Sequence, residues 1–462
     1  MSDVYVELKS KEVRVVDRTH VLVVGGGPAG TSAAIAAARA GAEKVILLER
    51  YGYLGGMATG GQVILIPPLS YRENIILRGI ILEIVDRLHT LPNAFCGPSK
   101  GLTGSSDIHN LHYWSKYYNM VWHDKICYGG YTDPDYFRII LHEIAEKENI
   151  KFYFNCWSSE AVVKDGRIIG VCFESKQGRF AILADVVIDC TGDADICASA
   201  GVGYDLNPIG NNRNSSMGLV YRLGNADFDT FAEWKRTHVT EWKEHVTQIN
   251  KICGYASAVF PTGRNDVVWV DNWITNGNCL DIQSLGMASR SVIKTILPVI
   301  NYLRDSAVPG LNNICLFDIA SQTGTRGSRR IHGKTHLSIT DVNVGKKFDD
   351  VVAVFPATDH VTTDSGVQDC SHLGPQQFPL GAMIPLGIEN LIQAGRAFCS
   401  DDAANNLYNL IPHCFAMGQA AGVLAARAVK DGEVPSKVNH RKVQRDLVKQ
   451  DVYLPDEIHC QL

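Results

Sequence analysis

Residues 20–50, HVLVVGGGPAGTSAAIAAARAGAEKVILLER, constrain the fold of this chain more than any other stretch. Residues 21–24 are a short β-branched and leucine run, Gly25-x-Gly27-x-x-Gly30 is a turn, and the alanine-rich segment to Ala40 is a helix closed by Gly41. Residues 45–48 supply a second strand, which completes a βαβ unit. The first glycine makes the tight turn, the second lets the backbone approach a pyrophosphate, and the third lets helix and strand pack closely. The helix start adds unpaired N–H groups and a positive dipole end. Glu49 closes the second strand about 20 residues beyond the glycines, where a carboxylate can hold a ribose hydroxyl pair. A glycine triplet alone is also compatible with a purely structural turn. Here strand, glycines, small-residue helix, second strand and terminal acid occur in order, and together they point to a dinucleotide site.

Composition narrows the remaining classes. With 462 residues, 45% hydrophobic and 20% charged, the chain suits two or three folded units rather than one core or a disordered chain. A formal net charge of -5 gives no overall basic field for nucleic acid or an anionic membrane, so neither is expected as a partner. The opening residues carry charges throughout, and no apolar run reaches membrane-spanning length, which makes a cytoplasmic location the default expectation. The 13 cysteines form no C-x-x-C pair. That argues against zinc, an iron–sulfur cluster or a disulfide ladder, and no metal is expected.

Along the chain, the run from Tyr51 to Gly61 is too glycine-rich for a helix or an ordinary strand and suits backbone lying against a ligand, with a plain surface loop as the alternative. Residues 78–88 have helical apolar spacing. Residues 92–130 break the pattern with many aromatics and histidines, as an insertion that forms a lid or a partner surface would. Asp133-Pro134 opens a helix. Strands follow, two of them joined by an Asp165-Gly166 hairpin, and residues 186–189 lead into Cys190-Thr191-Gly192-Asp193. Residues 204–340 read as a second domain. In its long helix, residues 281–304, Leu285, Met287, Ile293, Ile296, Leu297 and Ile300 read as one broad core face, with Pro298 as a kink. Short strands are expected at residues 382–384 and 391–394. A helix starts at Pro412, and Ser436 is the expected cap of a last amphipathic helix carrying Val443 and Leu447.

With Gly25-Gly-Gly-Pro-Ala-Gly30, Leu54-Gly-Gly-Met-Ala-Thr59, Asp189-Cys-Thr-Gly-Asp193, Thr325-Arg-Gly-Ser-Arg-Arg-Ile-His-Gly333, Asn390-Leu-Ile-Gln-Ala-Gly-Arg396 and Gly418-Gln-Ala-Ala-Gly422 in register, the sequence resembles the FAD-dependent oxidoreductases, with a distant likeness to fumarate reductase and glucose-inhibited-division flavoproteins. The resemblance implies an α/β fold: an FAD-binding Rossmann-like, doubly wound domain with a second α+β substrate domain. It divides the chain into 1–89, 131–203 and 341–462 for the FAD domain, 90–130 for the insertion or lid, and 204–340 for the substrate or cap domain. It implies FAD as cofactor, held by Gly25, Gly27, Pro28, Ala29 and Gly30, by Glu49 and Arg50, by Gly55, Gly56, Met57, Ala58 and Thr59, by Thr191, Gly192 and Asp193, and by Gly395, Arg396 and Gly418. Two positions depart from the family pattern. Asn409 stands where relatives carry an arginine before the proline of the last flavin helix, and His413 stands where a threonine commonly follows it. The substrates of familiar relatives are therefore not transferred.

The chemistry expected is hydride transfer between a small organic substrate and flavin N5, with an unassigned electron acceptor. The helix from Pro412 would turn its N–H groups toward the flavin and stabilise the negative charge of the reduced ring. His360 and His413 are the candidate acid/base or hydrogen-bonding groups, since imidazole exchanges a proton near neutral pH. Arg326 could bind a substrate carboxylate, while Arg329 or Arg330 could equally hold a domain interface. Reduction of an activated C=C bond is the main alternative, and an RNA-linked or non-catalytic flavoprotein is a third that the acidic balance weighs against. No second G-x-G-x-x-G follows a strand, so no built-in NAD(P)H domain is expected. Non-covalent FAD is expected, and a homo-oligomer stays an open alternative.

Overall fold

The computed structural model describes residues 12–210, 215–356, 360–363, 366–369 and 373–462. The alternating apolar and polar residues 4–8, a pattern that suits either an edge strand or a lead into the fold, lie outside them. Val15 and Val16, whose neighbourhood also alternates, fall at the start of β1 (Arg14–Val24), whose inner half is apolar because it is buried on both faces. α1 (Pro28–Arg39) follows without a side-chain cap, and β2 (Val45–Leu48) pairs parallel to β1. α2 (Pro134–Lys147) is capped by the Asp133 carboxylate, which accepts the N–H groups of Asp135 and Tyr136. β3 (Lys151–Tyr153) extends the parallel sheet beside β2.

β4 (Trp157–Lys164) and β5 (Arg167–Ser175) form the hairpin, with Asp165 and Gly166 both at positive φ (49° and 73°), as a type I′ turn requires. The next two expected strands are one, β6 (Gly178–Asp189). Its first half pairs antiparallel with β5, and from Phe180 to Asp189 it runs parallel to β1.

The second unit is a four-stranded antiparallel sheet of β7 (Tyr221–Gly224), β8 (Ala256–Pro261), β9 (Val267–Trp273) and β10 (Cys315–Ile319) in the order β8-β9-β7-β10. Helices Phe228–Thr237 and Val239–Cys253 and the long α3 (Ile282–Asp305) pack around it. The expected core face of α3 is corrected. Ala288, Val292, Ile296, Val299, Ile300 and Leu303 are buried, whereas Met287, Ile293 and Leu297 are exposed by 52%, 55% and 64%. The inward arc is the one built from small and β-branched residues that fit against the sheet. Residues 90–130 contribute Trp114, Tyr117, Met120 and Ile126 to this same core, so much of their aromatic content is packing. Arg222 of β7, 4% exposed, joins the units by pairing with Asp318 and with the cap residue Asp133.

The chain then returns to the first sheet. β11 (Leu391–Gln393) pairs parallel with the last three residues of β6, beyond the point where β5 leaves it. α4 (Ile411–Asp431) lies along α1, and its Gly418 and Gly422 admit the backbone of α1. Two local expectations differ. Residues 380–383 form a 3-10 turn rather than a strand, and the amphipathic helix His440–Lys449 is capped by Asn439 while Ser436 sits in the turn before it. Val443 and Leu447 are fully buried there. Among the described residues no helix is long and apolar enough to cross a membrane.

Candidate cofactor and substrate cavities

The glycine turn builds one wall of a cavity at the carboxyl ends of β1, β2, β6 and β11, where a doubly wound sheet places its ligand. The three glycines have separate jobs. A Cβ at Gly25 would stand 2.5 Å from the Cys190 carbonyl oxygen, and one at Gly30 only 1.7 Å from that of Gly25, so both are fixed by packing. At Gly27 a Cβ would meet nothing within 4 Å, and the residue faces the cavity at the open start of α1. That cradle fits a pyrophosphate: it offers backbone N–H groups and space. Glu49 is 7% exposed and lines the same cavity. Its Oε2 accepts the Gly26 N–H at 2.5 Å and its Oε1 the Tyr51 N–H at 2.8 Å. Burial raises its pKa, and these backbone donors oppose the rise.

The opposite wall is held by Asp189 and Arg396. Asp189, fully buried, accepts Thr191 N–H and Oγ1–H on one oxygen and the Cys197 N–H on the other, which fixes the Thr191-Gly192 turn. Arg396 donates to the Gly192 carbonyl at 2.8 Å, the Thr325 carbonyl at 2.6 Å, Thr325 Oγ1 at 2.7 Å and Asp193 Oδ2 at 3.1 Å. It thereby ties the dinucleotide sheet to the strand that leaves the second unit. Gly395 lines the cavity at φ 101°, a conformation that favours glycine.

A second cavity, of about 680 Å³, opens between the two units. Its aromatic wall is Tyr118, Phe260, Trp269 and Trp273, and its aliphatic wall includes Leu65, Leu407 and Leu410. Met57, Thr325, Arg396, Asn409 and Ile411 line both cavities, so the two meet at the start of α4. That helix has no side-chain cap at Leu410, which leaves its first-turn donors and positive end beside the junction. Met57 is held there by Gln322, whose Nε2 lies 3.1 Å from the sulfur and whose Oε1 accepts the Tyr53 hydroxyl at 3.1 Å.

Of the residues carried over from the resemblance, Gly25, Gly27, Pro28, Ala29, Glu49, Arg50, Gly56, Met57, Thr191, Gly192, Gly395 and Arg396 line the first cavity. Six do not. Gly30 serves packing, and Gly55 crowds against Thr59. Ala58 is buried, and Thr59 turns its hydroxyl to the Leu54 carbonyl. Asp193 is bound to Arg396 and Ser328, and Gly418 lies against Ala29.

Among the catalytic candidates, Arg326 lines the second cavity. Arg329 pairs with Asp195, and Arg330 donates to Asn207 and the Ser400 carbonyl, so both serve packing between segments. His413 lines neither cavity. It is 4% exposed and stacked on Phe355 at 4.3 Å, and burial drives its pKa down to about 3. It is a neutral core residue on the side of α4 that packs against Phe355. His360 begins a short strand, and its side chain lies outside the described residues.

Sequence reasoning missed Trp157 and Ser158, which line the cavity beside Glu49, and Cys190 and Cys414, which line it farther in. Arg50 lies over the rings of Tyr51 and Trp157. Burial pushes the Cys414 thiol up to about 12 and that of Cys190 well above its ordinary value, so both are unreactive thiols. Nothing in the local pattern marks Trp157, Ser158 or Cys414; strand β4 brings the first two to the cavity and the start of α4 the third, while Cys190 follows the end of β6 inside the motif that carries Thr191 and Gly192.

Solved structures similar to this chain include a geranylgeranyl bacteriochlorophyll reductase-like protein from Thermoplasma acidophilum, 15% identical, matched over 96% of this chain and 89% of that chain with a TM-score of 0.48. The p-nitrophenol 4-monooxygenase PnpA from Pseudomonas putida is 13% identical over 94% of this chain and 84% of that chain, with a TM-score of 0.46. The flavin-dependent brominase Bmp2 is 10% identical over 94% and 83%, with a TM-score of 0.45. No curated protein matches the chain. The family model described as FAD dependent oxidoreductase matches residues 20–447, from the first buried strand to the last amphipathic helix, and the chain belongs to that family.

Proposed function

We propose that this enzyme exchanges a hydride between a small organic substrate in the second cavity and FAD in the first. The observation that carries the reading is the junction. Five residues, Met57, Thr325, Arg396, Asn409 and Ile411, face both cavities, so a molecule in each would meet there. Gly27 and the start of α1 would hold the pyrophosphate, and Glu49 the adenosine ribose. Bound FAD supplies the two-electron chemistry, with hydride exchanged at flavin N5.

The protein's own part is positioning and charge. The uncapped start of α4 presents positive potential to the junction, where negative charge is most stabilised. Arg396 spends four of its five N–H donors on Gly192, Thr325 and Asp193, so it chiefly orders the Gly192 and Thr325 segments. Arg326 is placed to bind an anionic or carbonyl group. The mostly apolar walls of the second cavity exclude water from the meeting point.

The test is anaerobic absorbance of the purified flavoprotein while organic reductants are added to the oxidised form and unsaturated acceptors to the chemically reduced form. Bleaching by a saturated substrate supports the reading in the dehydrogenase direction. Absence of bound flavin after FAD is supplied, or a bound flavin inert to every organic partner, overturns it.

A further inference from the structure

Of the seven tryptophans only Trp157 is exposed, by 58%, and it stands in the wall of the cofactor cavity. Its place is set by the backbone rather than by packing of its own ring. β3 runs beside β2, and the pairing continues past the strand ends. The Glu49 N–H donates to the Tyr153 carbonyl at 2.9 Å, the Cys156 N–H to the Glu49 carbonyl at 3.0 Å and the Asn155 N–H to the Tyr51 carbonyl at 3.2 Å. Asn155 takes the left-handed conformation (φ 57°), so the chain bends there and enters β4 at Trp157, which pairs with Glu174 of β5. The indole is therefore anchored one residue beyond the bond between Cys156 and Glu49.

The side chains beside it form a short stack. The Arg50 guanidinium lies 5.1 Å from the Trp157 ring centre and 4.9 Å from that of Tyr51. Tyr51 lies parallel to Tyr53 at 5.3 Å, and Arg138 lies over Tyr53 at 4.6 Å. Cations over ring faces hold such a column in one arrangement. An indole left in water at a cavity wall adds nothing to the core, but covering it with a flat ligand removes apolar area from water and adds attraction between rings. The adenine of FAD is such a ligand. It is joined directly to the ribose assigned to Glu49, and the rings that line this cavity are those of Tyr51 and Trp157. Tyr51 has Tyr53 against it and Arg50 over it, which leaves the indole.

We propose that Trp157 is the adenine seat of the FAD site: the base stacks on its indole, which Arg50 steadies. The inference rests on the placement of FAD in the first cavity and adds the residue that recognises the base. It makes the adenosine end, rather than the flavin ring, the place where this protein separates FAD from FMN.

The test measures dissociation constants for FAD and for FMN, which carries the same flavin ring but no adenosine, by equilibrium dialysis. Neither measurement needs turnover. Trp157→Ala is expected to weaken FAD about tenfold or more, the scale of one lost base–ring stack. Trp157→Phe, which keeps a ring, should stay within about threefold of the parent. FMN affinity should change in neither variant, and both should melt with the parent because the position is exposed. FAD binding unchanged in Trp157→Ala, an equal loss in Trp157→Phe, or a loss for FMN as large as that for FAD overturns the proposal. If FAD is held regardless of Trp157 and still exchanges electrons with organic partners, this inference fails and the hydride-exchange reading stands. If the parent holds no FAD, both fail.

Discussion

The backbone of Gly418 lies so close to that of Ala29 that a Cβ at 418 would stand 2.0 Å from the Ala29 carbonyl oxygen. The contact joins α4 to the first turn of α1, the turn that lines the cofactor cavity. Gly418→Ala should therefore push the two helices apart, at an overpacking cost of about 1–3 kcal/mol or more. Urea unfolding of the FAD-free protein measures that loss. FAD affinity should fall with it, since the cradle moves; a variant of unchanged stability would show that the contact can relax.

Gly27 and Gly30 should separate affinity from folding. Gly27→Ala adds a methyl where nothing lies within 4 Å, so the FAD-free protein should melt within about 0.5 kcal/mol of the parent, the usual range for an uncrowded substitution. FAD should bind at least tenfold more weakly. Gly30→Ala drives a methyl to 1.7 Å from the Gly25 carbonyl and should fail to give soluble folded protein. Titration of flavin fluorescence and a thermal melt distinguish the two.

Arg396→Lys keeps the charge and loses the fork. A lysine cannot serve the Gly192 carbonyl, the Thr325 carbonyl and Asp193 from one plane, so part-buried acceptors are left without donors, at a cost of about 1 kcal/mol each. The expected outcome is at least a tenfold rise in the Kd for FAD, measured by equilibrium dialysis.

His413 predicts an acid-sensitive fold. Its folded pKa is depressed to about 3 by burial, while an unfolded imidazole titrates near 6.5. Below 6.5 the unfolded chain takes up a proton that the folded chain refuses, so stability is lost as pH falls from 6.5 toward 3. Between pH 7 and pH 5 the loss should be about 2 kcal/mol. In His413→Phe, which keeps a ring on Phe355, that pH dependence should shrink by this amount. The pH profile of turnover should not change, because the imidazole faces neither cavity.

On α3, Leu297→Glu should change stability by less than about 0.5 kcal/mol, while Ile296→Ala one residue away should cost about 2–5 kcal/mol. Chemical denaturation of the pair tests the corrected face.

The cofactor half of the molecule was legible because each requirement is local. Strand, glycine turn, small-residue helix and Glu49 are contiguous in sequence, and the structure places the helix and second strand within a residue or two of where the spacing puts them. What was not legible depends on distant partners. The outward turn of Ile293 and Leu297 follows from the way α3 meets the sheet, and periodicity alone reads them as core. His413 looked catalytic because it sits beside a flavin helix start, yet which side of the helix it takes is settled by Phe355, almost sixty residues earlier in the chain.

The hydrogen bond from Ser32 Oγ to the Phe415 carbonyl spans 383 residues of chain. During synthesis β1, α1 and β2 emerge before the second unit, whereas the helix that covers α1 and the strand that completes β6 emerge only after it. The glycine cradle must therefore wait, with the alanine face of α1 open to water, while the whole second unit is made. A nascent chain in that state offers an apolar helix to any chaperone or neighbour, and cofactor capture becomes a late event in its biogenesis. Emergence of α4, rather than of the glycine motif, then sets when this enzyme can first hold FAD.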